Sequence, residues 1–107
     1  MSEIESWVDR NCPNDAEWFI QKYALDTKSR KREKVFLRME LCRILRNHST
    51  MTFAQIGKLI NRDHSNVVYL KDIATYYHRH NDKLYLDIIE EYADDFKLVI
   101  TELKKQS

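Results

Sequence analysis

Residues Met51 to Ala74 read MTFAQIGKLINRDHSNVVYLKDIA, and the stretch divides into two short helices joined by a tight turn. Thr52 and Gln55 stand at capping-box spacing, so the Thr52 hydroxyl can accept from the Gln55 amide while the Gln55 side chain reaches back to the Thr52 amide. Met51 and Ile56 occupy the positions of a hydrophobic staple across that cap. Phe53, Ile56 and Ile60 carry an apolar face as far as Asn61, a residue type that tolerates the left-handed conformation ending a helix. Asp63 then stands as N-cap of the second helix, with His64, Ser65 and Asn66 in its first turn. Val67, Leu70, Ala74 and Tyr77 follow at helical spacing as its buried face. Gly57, the one glycine of the chain, lies inside the first helix at a cost of ~1 kcal/mol relative to alanine. Close approach of the second helix would account for it. The pattern predicts a helix-turn-helix, whose second helix meets base edges with the polar residues at its start.

Upstream, Asp26 to Arg32 (DTKSRKR) forms a charge-dense loop, followed by a central helix over Lys31 to Arg46. Val35, Met39 and Cys42 line one side of that helix, and Leu37, Leu41, Ile44 and Leu45 another. So wide an apolar face predicts burial by several neighbours, with Arg38, Arg43 and Arg46 in the remaining sector. Nearer the N-terminus, residues 2–10 can form a short acidic helix with Ile4, Trp7 and Val8 on its apolar side, broken by Pro13. Asn14 can cap a following helix in which Trp18, Phe19, Tyr23 and Leu25 turn inward. The two tryptophans either anchor this segment on the core or present an aromatic patch to a partner protein.

Downstream, Asn81 is a cap for one long last helix, Asp82 to Lys104. Its apolar residues Tyr85, Ile89, Tyr92, Phe96, Val99 and Leu103 alternate by fours and threes, a heptad seam. The seam packs back on the domain or pairs with a partner helix, most simply its own copy in a homodimer. Lys104 and Lys105 suit the negative end of that helix.

The 107 residues, 43% of them hydrophobic, suffice for one domain with a single modest core, and one proline and one glycine argue for an all-α fold with short connections. No apolar run approaches the ~20 residues of a membrane span, and the acidic start does not read as a signal peptide. Cys12 and Cys42 lack framework spacing and read as reduced thiols of a cytoplasmic protein. The net charge of +1 conceals segregation. Residues 1–27 carry two basic and six acidic groups, 28–46 eight and two, 47–80 four and two, and 81–107 four and seven. A basic band beside a helix-turn-helix points to phosphate contact, which is local and needs cations on one face.

Catalytic patterns are missing. His78 and His80, two apart, fall on different faces of a helix, so they do not form a metal pair. Asp63, His64 and Ser65 are consecutive and cannot converge on one substrate atom as a triad must. Glu90-Glu91 and Asp94-Asp95 read as a solvated face. The expectation is a protein that is not an enzyme, with no cofactor, no metal and no small-molecule substrate.

The run IGKLINRDHSNVV resembles the signature of the DNA-binding domain of the bacterial replication initiator DnaA, and SRKREKVFLRMELCRIL resembles the basic loop and central helix that precede it. The resemblance covers residues 28–74. It departs from the family pattern at Asn66, usually threonine or serine, at Tyr69, usually histidine, and at Leu70, usually alanine. The turn at Asn61 is also one residue shorter than the commonest form. The initiator's nucleotide-binding motor does not precede the signature here, so the expectation is a free-standing DNA-reading end.

The resemblance implies a Trp-repressor-like helix-turn-helix; joined to the N-terminal helices and long C-terminal helix read from the residues, the expectation is one all-α domain over 1–107, divided into 28–46, 52–79 and 82–104. It implies base reading by Asp63, His64 and Ser65 in the major groove, and by Arg30 in the neighbouring minor groove. Aspartate can accept from a cytosine amino group, serine serves either sign of partner, and the imidazole can meet a thymine methyl. Asn66 could pair bidentately with adenine, so the preferred site need not be the initiator's own. Lys28, Lys31, Arg32, Arg38 and Arg62 would hold the DNA backbone. The expected partner is double-stranded DNA, not a membrane, and the expected role is a small transcriptional or replication regulator in the nucleoid. The alternative is a protein-interaction module on the same scaffold, gripping its partner through the acidic N-terminal segment and the last helix.

Overall fold

The computed structural model describes residues 15–106, all of whose regular structure is α-helical: α1 (Ala16–Tyr23), α2 (Arg32–His48), α3 (Phe53–Ile60), α4 (His64–Arg79), α5 (Lys83–Glu90) and α6 (Ala93–Gln106). The acidic helix expected over 2–10, Cys12, Pro13 and the Asn14 cap lie outside the described residues. Among the described residues, no helix is long and apolar enough to cross a membrane.

The central helix α2 is the axis of the fold. Leu37, Met39, Leu41, Cys42, Ile44 and Leu45 are all buried, as the breadth of its apolar face predicts. The other five helices pack around it. The residues expected to turn inward here behave in two ways: Phe19 of α1 and Leu25, just past its end, are fully buried, while Trp18 and Tyr23 lie half-buried at the rim. Asp15 caps this helix by accepting from the Trp18 amide at 3.0 Å. The Cys42 thiol is free, and burial pushes it up to about 12 against the nearby Arg38 charge, so it stays protonated and inert.

Three of the helices end on a left-handed residue, Ala24, Asn61 and Asn81. At Asn81 the amides of Asn81 and Asp82 turn back to the carbonyls of His78 and Tyr77, closing α4. Asn81 is therefore the stop of one helix and not the cap of the next. That role falls to Asp82, whose carboxylate accepts from the Tyr85 amide at 3.0 Å.

The single helix expected over 82–104 is two. The amides of Glu91 and Tyr92 bond three residues back, to Ile88 and Ile89, and α6 restarts at Ala93. Neither proline nor glycine marks the break; contacts made by the side chains that follow it hold it. Tyr92 sets its ring edge-on to Tyr23 at 5.2 Å and donates its hydroxyl to Glu33 at 2.6 Å. Phe96 lays its ring 4.6 Å from Phe19, and Asp95 accepts from Lys22 at 2.8 Å and from the Tyr23 hydroxyl. The heptad seam is consequently internal. Tyr85, Ile89, Phe96, Val99 and Leu103 are buried in this chain's own core, so the seam is not a free surface for a second copy.

Between α2, α4 and α5 lies one buried carboxylate. Glu40, 3% exposed, accepts from Arg43 at 3.2 and 2.7 Å and from the Tyr85 hydroxyl at 3.0 Å, and lies 2.7 Å from His78 Nε2. Burial works against its charge, but the bonds and charges of Arg43 and His78 outweigh it and hold the carboxyl below its ordinary range. A carboxyl whose folded pKa lies below its unfolded value stabilises the fold above the unfolded value, and that stability is lost as pH falls through the folded one. Melting temperatures taken from pH 7 downwards should therefore fall below about pH 4.5. Glu40→Gln should melt lower than the wild type at pH 7, with the gap closing in acid. A gap that stays constant to pH 3 would show that Glu40 does not contribute to the acid transition.

Candidate nucleic-acid interface

The capping box at Thr52 forms in full: the Gln55 amide donates to the Thr52 hydroxyl at 3.1 Å, and the Thr52 amide donates to Gln55 Oε1 at 2.8 Å. It starts α3 against the core, with Ile56 and Ile60 fully buried and Met51 packed beside them. Asn61, at φ 58°, ends α3, and the Asn61 and Arg62 amides both turn back to the Gly57 carbonyl. Three residues, Asn61 to Asp63, separate Ile60 from the start of α4. The absence of a side chain at Gly57 is required by this turn more than by the second helix. A Cβ there would lie far inside van der Waals distance of the Arg62 carbonyl oxygen, whereas Val67 of α4 comes only to 3.4 Å.

Asp63 stands at the N-cap position of α4, but its side chain does not cap. Its carboxylate instead accepts from Ser65 Oγ at 3.1 Å and lies 3.6 Å from His64 Nδ1. Asp63, His64, Ser65 and Asn66 are all exposed, while Val67, Leu70 and Ala74 bury the opposite side of the helix. The expected base-reading residues are thus gathered at one helix start, free of the core.

Two of the expected phosphate contacts are placed otherwise. Arg38 is 3% exposed, and its guanidinium donates to three main-chain carbonyls: Leu25 at 2.7 Å, Thr27 at 2.8 Å and Ser29 at 2.8 Å. Burial, and then the Arg62 charge, pull its pKa down from the usual arginine value. Arg62 donates to the carbonyls of Ile60 at 3.1 Å, Asn61 at 2.9 Å and Thr27 at 2.7 Å. Both guanidinium groups are tied to main-chain carbonyls, that of Arg38 buried and that of Arg62 half-buried at the surface.

The loop they shape leaves Lys28 and Arg30 exposed and Ser29 half-buried. Lys28, Arg30, Arg38, Arg62 and Asn66 line a cleft of about 320 Å³ between the loop and the start of α4, with no acidic residue on its walls. Lys31 and Arg32 are also exposed, but they line a separate groove with Glu33, Lys34 and Ile88.

Two exposed residues beside these positions escape the motif. Lys58 of α3 shares a groove with Asn61, Asp63 and His64. Tyr69, 60% exposed, stands one turn beyond Ser65 and Asn66. The signal for Lys58 was its charge on an otherwise uncharged helix; for Tyr69 it was a large aromatic outside the Val67–Leu70–Ala74 stripe. Two of the three other histidines are engaged separately, His78 with Glu40 and His80 with its ring centroid 4.2 Å from that of Tyr76. Comparison with protein-family models, curated proteins and solved structures finds no match to this chain.

Proposed function

We propose that this chain is a sequence-specific double-stranded DNA-binding protein that uses α3 and α4 as a helix-turn-helix. The observation that carries the reading is the acid-free cleft with Lys28 and Arg30 on one wall and Asn66 on the other, beside the exposed Asp63, His64 and Ser65. In this reading the first turn of α4 enters the major groove, Arg30 enters the adjacent minor groove, and Lys28 and Lys58 hold phosphate on either side. Tyr69 adds a contact deeper along α4. Lys31 and Arg32 supply backbone attraction from the flank. With the 85–103 seam inside the domain, the target is one asymmetric site and not paired half-sites. A regulator of transcription or replication acting at the nucleoid is the role that fits. A protein-interaction module is the second reading, favoured by Tyr69 and Tyr76, exposed at 60% and 57% on one helix.

The test separates base reading from phosphate holding. A site selected from random duplexes is titrated at two or more salt concentrations. His64→Ala and Ser65→Ala should each cost ~1–3 kcal/mol on the selected site and much less on random duplex. Lys31→Ala and Arg32→Ala should weaken all duplexes about equally and lower the salt slope by ~1 each. If no site is enriched and duplex affinity barely changes with salt, the interaction-module reading replaces this one.

A further inference from the structure

We infer that Arg38 and Arg62 form a clasp that fixes the distance between the two DNA-contacting parts, so that an A·T-rich flank and a major-groove core are recognised together at one spacing only. The inference deepens the proposed function and rests on it. Arg38 bonds the carbonyls of alternate residues, 25, 27 and 29, which anchors the loop from the turn at Ala24 to Thr27 onward, with Lys28 and Arg30 exposed on either side of the half-buried Ser29. The Thr27 carbonyl has two lone pairs, and both are used: it accepts from Arg38 at 2.8 Å and from Arg62 at 2.7 Å.

Arg62 carries the connection onward. Its other bonds go to Ile60 and Asn61, carbonyls left without partners at the end of α3. Asn61 Nδ2 donates to the Asp26 carbonyl at 3.5 Å, a second strand of the same tie. The loop from Leu25 to Ser29 is thereby tied to the turn that leads into α4, which sets the main-chain position from which Arg30 extends relative to Ser65 and Asn66. Two guanidinium groups meeting at one carbonyl repel each other, and this repulsion adds to burial, the larger cause, in lowering the pKa of Arg38. Closing α3 does not require that arrangement, since Asn61 and the Arg62 amide already do so. A loose basic loop would let its arginine find a narrow minor groove at several offsets; a clasped one accepts a single offset.

The experiment uses the full chain and the selected core in three duplexes: with the A·T-rich flank in place, with it moved outward by one or two base pairs, and without it. The readout is the flank benefit, the ratio of affinity with and without the flank. For the wild type it should be about tenfold at one spacing and about one elsewhere. Arg62→Ala should lower it to about one at every spacing. Arg62→Lys, which keeps the charge but not the forked donors, should behave like Arg62→Ala. Adding Arg62→Ala to Arg30→Ala should remove no further flank benefit, because the clasp acts through Arg30.

Equal weakening of all three duplexes, with the flank benefit intact and the salt slope down by ~1, would make Arg62 a direct phosphate contact and overturn the clasp. Hydrogen exchange at the amides of Thr27, Ser29 and Lys31, which donate to the Ala24 carbonyl, Thr27 Oγ1 and Ser29 Oγ, supplies a readout without DNA. Exchange should quicken at least about tenfold in Arg62→Ala, with melting temperature recorded alongside. Unchanged exchange overturns the clasp alone. A wild type without salt-dependent duplex binding overturns the DNA reading, and the spacing with it.

Discussion

A Phe96→Glu variant should fail to fold. Phe96 is 4% exposed, with its ring centroid 4.6 Å from that of Phe19, where α6 closes on α1. Truncating such a side chain costs ~3–5 kcal/mol, and an unpaired carboxylate in its place adds several more or must bind a proton. Together these approach the ~5–15 kcal/mol that holds a small domain together. Circular dichroism should show no cooperative melt for the variant, while the wild type sediments as a monomer at micromolar concentration. A wild-type dimer converted by the substitution to a folded monomer would reverse the assignment. The seam would then belong to an interface.

Gly57→Ala should be the second most damaging change, at ~3 kcal/mol, although alanine is the better helix former by ~1 kcal/mol. The added methyl would collide with the Arg62 carbonyl oxygen, which belongs to the main chain and cannot swing aside. Relief requires displacing the turn that carries Asn61 to Asp63, and with it the start of α4. A fall in melting temperature of ~15 °C is expected for a domain of this size. A rise would mean that the turn has room to spare.

What the chain discloses before folding is what its neighbours in sequence decide. Thr52 and Gln55 cap each other within four residues, and Asn61 takes its left-handed conformation for local reasons, so both were legible. Asp63 was placed correctly but its bonding was not, because Ser65 and His64 compete for the carboxylate that would otherwise cap. The break at Glu91 carries no local mark; it depends on Tyr23, Glu33 and Phe19, about sixty to eighty residues away. Arg38 is the clearest case. An arginine in the polar sector of a helix reads as exposed, and only the return of the loop over it, bringing three carbonyls within reach, makes burial tolerable. The cationic candidates divided on that point: Lys28, Arg30, Lys31 and Arg32 stayed exposed, Arg62 lies half-buried with its guanidinium on main-chain carbonyls, and Arg38 alone is buried.

The acceptors that hold the basic loop are the carbonyl oxygens of Leu25, Thr27 and Ser29, and every amino acid carries that oxygen. The loop's path is therefore largely indifferent to which side chains it displays at positions 28 and 30. Mutation there can exchange one outward group for another without refolding what lies beneath, so the displayed chemistry can drift while the frame is inherited unchanged. For protein engineering, positions 28 and 30 are the places to randomise, and positions 38 and 62 are the ones to leave alone.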